Sequence, residues 1–187
     1  MTDWYAKLTD YFPANEMKSK EHMEKLFADK QENYLIEEGP ESVLIYLEKS
    51  DFIFIDYILI SGKVRGKGLG GKLIEKVKNK DKAIILEVDP IDPSDADTAK
   101  RVNFYKKNGF RKVSSIEYKR IHAVTNELNE MDIYCWSQIP QKDEWVYRKM
   151  QEAYQEVHAY KARDFYGKQP QETSEVLTLK KKVYSKA

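Results

Sequence analysis

The sequence predicts a mixed α/β (α+β) domain in which helices flank a central sheet, with an extra amphipathic helix at its C-terminal end. Three observations carry this. Apolar, β-rich runs at 52–61 and 83–89 enclose a stretch of helical periodicity, strand-like runs follow a second helical stretch, and an amphipathic segment comes after them. At 187 residues the chain fits one domain with an appendage, divided at 1–136 and 137–187, the second part packing on or extending the first.

Taken in order, residues 15–32 are largely polar, with Met23, Leu26 and Phe27 on one side of a helix that Asn15 is placed to cap. NYLIEE and SVLIYLEKS, separated by Gly39-Pro40, read as a hairpin. FIFIDYILIS is apolar on both parities, as in a strand buried on both faces. Leu69, Leu73 and Val77 then recur every four residues, the pattern of a helix covering a sheet. AIILEVD is a second buried strand, so the strand, helix, strand order implies a right-handed crossover between parallel neighbours. Ser94 and Asp97 are spaced as a capping box for a helix over about 95–108, and Asn108-Gly109 ends it. FRKVSSIEY and EMDIYCWS read as late strands. Val146, Met150, Ala153, Val157 and Tyr160 mark the last amphipathic helix, followed by a polar tail from about 164.

Composition excludes several classes of function. Lys and Arg number 32 against 31 Asp and Glu, so no net field favours nucleic acid or an anionic membrane surface, and neither is expected as a partner. The most apolar run carries Asp56 and falls short of the ~20 residues that span a bilayer. MTDWYAKLTDYF lacks the basic and apolar regions of a secretion signal. A single cysteine, Cys135, excludes an internal disulfide and fits a reducing, cytoplasmic setting; it reads as a small buried residue.

VRGKGLGGKLIEKVK, residues 64–78, sets four glycines within 66–71 just ahead of a helix. Such a turn exposes backbone N–H groups at the positive end of the helix dipole, which suits a phosphate. Gly66, Gly68 and Gly71 fit the G-x-G-x-x-G dinucleotide pattern, and Glu87 lies near the ~20-residue offset at which an acid grips a ribose. That architecture needs further strand–helix units, whereas one helix and then strand-like segments follow here. A plain glycine turn without a ligand is the bland alternative.

Arg65, Gly68 and Gly70 fit another pattern, Q/R-x-x-G-x-G/A, preceded by the strand IDYILIS. Some 35 residues on, Phe104, Tyr105, Gly109 and Phe110 of NFYKKNGF match FY-x-x-x-GF. In this order and spacing the two motifs resemble the GNAT family of N-acetyltransferases, over about residues 15–136; EVDP at 87–90 and Arg101 are similar to one bacterial branch.

The resemblance implies a GNAT acyl-CoA acyltransferase fold with acetyl-CoA as cosubstrate and no metal. Arg65, Gly66, Lys67, Gly68, Leu69 and Gly70 would hold its pyrophosphate through backbone N–H groups, Arg65 and Lys67 adding charge. The pantetheine arm would pair with a strand edge at Leu59 and Ile60, where the family's fourth strand bulges and splays from the fifth. The Ile60 N–H takes the oxyanion position. Where the family often has an asparagine seven residues before the tyrosine, this chain has Thr98, which leaves Asn103, on another face of the helix, as the candidate for the helix-side contact.

The implied reaction is transfer of the acetyl group to a primary amine, on a small molecule or peptide, by direct attack in a ternary complex. Asp56, the only acid in the buried run, is the candidate base, with a structural pairing to a lysine or a substrate contact as its alternatives. Tyr105 is the candidate acid for the leaving thiolate, with packing as its alternative. A non-catalytic acyl-CoA sensor or scaffold of the same fold is the competing function.

Other constellations carry less. Asp89, Asp92, Asp95 and Asp97 lack the turn glycine and terminal glutamate of a calcium loop, and His22, His122 and His158 are scattered without ligand spacing. Trp145, Tyr154, Tyr160, Phe165 and Tyr166 read as packing, with cover of the acceptor site or a homodimer face as the alternatives.

Overall fold

The computed structural model describes residues 3–62 and 66–180. It opens with α1 (Trp4–Thr9), a 3-10 turn over Ala14–Glu16 and α2 (Lys20–Asp29). Asn15 lies inside the 3-10 turn, so the cap of α2 falls to Ser19, whose hydroxyl accepts the His22 N–H. Between them Met17 and Lys18 are buried, which forces the chain to run extended there instead of continuing as helix.

β1 (Tyr34–Gly39) and β2 (Ser42–Glu48) form the hairpin, and β3 (Phe52–Ile60) pairs antiparallel with β2. α3 (Leu69–Lys78) then crosses to β4 (Ala83–Val88), which lies parallel to β3. In α3 the fully buried side chains are Ile74 and Val77; Gly68, at φ 81°, is its N-cap in the left-handed conformation that glycine adopts without strain. α4 (Ala96–Lys107) is capped by Asp95, whose carboxylate accepts the Asp97 N–H; Ser94 bonds to Asp92 instead. Gly109, at φ 80°, ends it.

Next come β5 (Arg111–Lys112), β6 (Ile116–Ile121) and β7 (Leu128–Trp136). The chain beyond is more structured than a tail: α5 (Asp143–Ala153) runs into a π-helical turn over Tyr154–His158, then α6 (Ala162–Tyr166), α7 (Thr173–Val176) and β8 (Leu177–Leu179). β8 pairs with β6 and buries Leu177, so the segment after 136 extends the same sheet. Among the described residues the strand order is β1-β2-β3-β4-β7-β6-β8, with β5 also on β7.

Each face of the sheet carries its own apolar layer. Ile74, Val77, Val102 and Tyr105 from α3 and α4 pack on Ile53, Ile55, Ile84 and Leu86. On the other face Leu8, Met23, Leu26, Val146 and Met150 cover Phe52, Phe54, Ile85 and Ile133. Burial of each such side chain stabilises by ~1.5–3 kcal/mol.

One irregularity shapes the site. Ile45 faces Tyr57 and Tyr46 faces Ile55, which leaves Asp56 as an extra residue on β3. Pairing of β3 with β4 stops at the same level, at Ile55 and Leu86. Beyond it the two parallel strands part. Among the described residues no helix is long and apolar enough to cross a membrane.

Candidate active site

A cleft of about 600 Å³ occupies the gap between β3 and β4. Ile55, Ile58 and Ile60 line one side and Leu86 the other. The turn before α3 (Gly66, Gly68), the first residues of α3 (Leu69, Gly70) and α4 (Lys100, Arg101, Phe104, Tyr105) close it on one face of the sheet. A side chain at Gly70 would bring its Cβ to 3.0 Å from the Phe104 ring, so glycine there keeps the turn against α4.

The expected cofactor residues divide. Gly66, Gly68, Leu69, Gly70 and Ile60 line the cleft. Leu59 is buried in the apolar layer on the other face of the sheet. The Lys67 side chain is exposed, and Arg65 lies outside the described residues. Asn103 is also exposed, on a side of α4 away from the cleft, because the residues that face inward are one and two places further on. Thr98 serves the helix start: its hydroxyl accepts the Asp92 N–H at 2.9 Å and donates to the Asp95 carbonyl at 2.7 Å.

Tyr105 lines the cleft with 4% of its surface exposed, packed against Phe104, Phe110 and Tyr134. Burial pushes its pKa well up, against a smaller opposing effect of Arg101. Its phenol is therefore protonated at neutral pH.

Asp56 reaches the cleft, but Lys18 Nζ sits 2.6 and 2.9 Å from its two oxygens and the Tyr34 hydroxyl donates to it at 2.6 Å. Burial lowers the Lys18 pKa, and Asp56 opposes that shift. The pairing with a lysine, one of the alternatives open from the sequence, is what the fold displays.

The loop before α2 brings in a second carboxyl. The Tyr57 hydroxyl donates to the Glu16 carbonyl at 2.9 Å and accepts the Lys18 N–H at 3.0 Å, while His122 Nε2 bonds the Met17 carbonyl at 3.0 Å. Glu16, so fixed, lines the cleft; burial and the neighbouring Asp89 raise its pKa to about 7, against the pull of Arg101. Asp89 is ion-paired with Arg101.

On the sheet face opposite α3, Glu87 from β4 accepts from His158 Nε2 at 2.8 Å. Burial would raise the Glu87 pKa, but His158 and Arg120 bring it to about 2. Burial and the Lys18 charge lower that of His158 to about 4. The pair is thus a carboxylate and a neutral imidazole with its proton on Nε2. Sequence reasoning missed Glu16, Lys18, Arg120 and His158 because no local motif contains them; three separate segments deliver them to one cavity. Cys135 is buried in β7, and burial raises its pKa to about 11. Among the described residues no group of three His, Cys, Asp or Glu side chains is arranged to hold a metal ion.

A sheet opened between two parallel strands, with a glycine-led helix on one face and ionisable groups on the other, is the architecture that the GNAT resemblance implies. The family model described as "Acetyltransferase (GNAT) domain" matches residues 29–112. YjbC of Bacillus subtilis (strain 168), an acetyltransferase by name, is 44% identical over 177 residues, covering 95% of this chain and 92% of its own length. A solved GNAT-family structure from Bacteroides thetaiotaomicron superposes with TM-score 0.65 at 19% identity, over 88% of this chain and 90% of that one. Another, from Elizabethkingia anophelis with acetyl-CoA bound, gives TM-score 0.52 at 16% identity, over 73% and 92%. The chain belongs to the GNAT acetyltransferase family.

Proposed function

We propose that the protein is an N-acetyltransferase that moves the acetyl group of acetyl-CoA to a primary amine by direct attack in a ternary complex. The observation that carries this is the gap beyond Asp56, which joins the glycine turn and Tyr105 on one face of the sheet to Glu16, Glu87 and Lys18 on the other. The acetyl-CoA-bound relative supports the choice of donor.

In this reading Gly66, Gly68 and Gly70 offer a backbone turn to the pyrophosphate. The pantetheine arm lies in the gap beside Ile58 and Ile60. An amine entering from the opposite face must lose a proton, since a free alkylamine has a pKa of about 10. Glu16, with its pKa near 7, suits that proton better than Asp56, whose oxygens are already held by Lys18 and Tyr34. As the new C–N bond forms and the C–S bond breaks, the Tyr105 hydroxyl donates its proton to the departing thiolate, and the proton that the attacking nitrogen sheds on becoming an amide restores the phenol.

Thiol release from acetyl-CoA, followed over a panel of amines, tests the reading. Amine-dependent release supports it. Tight acetyl-CoA binding with no release on any acceptor would leave a binding module of the same fold.

A further inference from the structure

The cleft wall built by β4, β6 and the π turn holds polar groups that the fold leaves unanswered. Three buried side-chain atoms have no hydrogen-bond partner among the described residues: the Tyr118 hydroxyl, Arg120 Nε and His158 Nδ1. All three residues act on the same buried carboxylate, Glu87. Buried polar atoms are ordinarily paired, and of these residues Arg120 and His158 line the cleft, so two unpaired atoms at one cavity wall point to a ligand that completes the set.

Arg120 is the strongest of these signals. Lys18 is matched by Asp56 and Arg101 by Asp89, yet no ion pair among the described residues includes Arg120, which lines the cleft. Glu87 offsets the charge of this guanidinium without forming an ion pair with it, which leaves the planar fork to match a further carboxylate at two points. With Glu87 close by, one added negative charge is tolerable, whereas the double charge of a phosphate would be repelled.

We propose that Arg120 binds a carboxylate of the acceptor, so that the acceptor is a small amino-acid-like amine. Glu16, lining the same cleft, complements its ammonium group, and the cavity as a whole then fits a zwitterion. This inference rests on the N-acetyltransferase reading above.

The test uses the full chain, acetyl-CoA and thiol detection with the twenty common L-amino acids, and with amines that lack the carboxylate of three of them: 3-methylbutylamine, phenethylamine and cadaverine. Expected is a kcat/KM at least ~10²-fold higher for one or more amino acids than for its amine counterpart. Arg120→Met should erase that preference, lowering kcat/KM for the amino acids by ~10²-fold more than for the plain amines, and Arg120→Lys, which keeps the charge but not the fork, should retain part of it. Equal rates for amino acids and amines, or an equal fall for both in the Arg120 variants, would overturn the proposal and leave the enzyme reading intact. An equal fall is what a purely structural arginine predicts. No turnover of any amino acid also overturns it. Thermal stabilisation by acetyl-CoA, measured in parallel, separates these outcomes from failure of the donor site itself.

Discussion

His22 offers a quantitative test that needs no substrate. It is fully buried in α2, where its Nε2 lies 2.8 Å from the Tyr160 carbonyl and its Nδ1 3.0 Å from the Tyr166 hydroxyl. Phe165 stacks on the ring at 5.1 Å. A carbonyl only accepts, so Nε2 carries the proton and Nδ1 receives the hydroxyl of Tyr166. The neutral imidazole thus fastens the C-terminal segment to α2. Burial, aided by the Lys18 charge, lowers its pKa from 6.5 to about 4.

The sign follows from proton binding. Above about pH 6.5 neither the folded nor the unfolded state protonates this residue, and its full contribution is present. As the pH falls below that, the unfolded chain takes a proton that the folded chain refuses, and stability is lost until about pH 4. Each unit is about 1.36 kcal/mol, so between pH 7 and pH 5 the 1.5 units below 6.5 remove about 2 kcal/mol. Urea unfolding of the wild type and His22→Gln, followed by circular dichroism at both pH values, isolates this effect because the other titrating groups are common to both proteins. The stability gap between them should shrink by about 2 kcal/mol at the lower pH. A gap that stays constant or widens would refute the assignment of a buried neutral imidazole.

Three further predictions concern the cleft. Tyr105→Phe should lower kcat by about 10²-fold or more and leave acetyl-CoA affinity unchanged, as single-turnover kinetics and calorimetric titration would show. The wild-type rate should rise with pH through an apparent pKa of about 7, and Glu16→Gln should flatten that limb of the profile. Gly68→Ala forces a side chain onto a residue at φ 81° and should cost roughly 1 kcal/mol, read as a Tm about 2–4 °C lower, with weaker acetyl-CoA binding.

Much of the sheet was legible because it is written locally. The β1–β2 hairpin, the doubly buried β3 and β4, and the crossover helix each have a periodicity that survives tertiary context. The glycine turn and NFYKKNGF were legible as motifs, and the structure sets both against one cleft. Helix starts were less so: Asn15 and Ser94 have the right chemistry for caps, but the burial of Met17 and Lys18 moves one cap to Ser19, and the Ser94–Asp92 bond moves the other to Asp95. β8 was invisible because three residues carry too little pattern, and its pairing with β6 is fixed only by the fold. The ionisable groups on the far side of the cleft were invisible for a stronger reason. Lys18 meets Asp56 across 38 positions and His158 meets Glu87 across 71, distances over which a single sequence carries no signal.

Asp56 shows how a single residue ties the architecture to the site. An aspartate in the middle of FIFIDYILIS cannot be left among apolar neighbours unpaired. As the extra residue of a bulge it steps out of the regular alternation, and there Lys18 and Tyr34 meet it. The bulge coincides with the last rung between β3 and β4, so the strands separate at the level where the charged groups gather. A hydrophobic residue at position 56 would remove both the need for Lys18 and the local reason for the irregularity. In the proposed reaction the aspartate therefore serves to keep the sheet open, and Glu16, held in place from Tyr57 on the same strand, is the proposed proton acceptor.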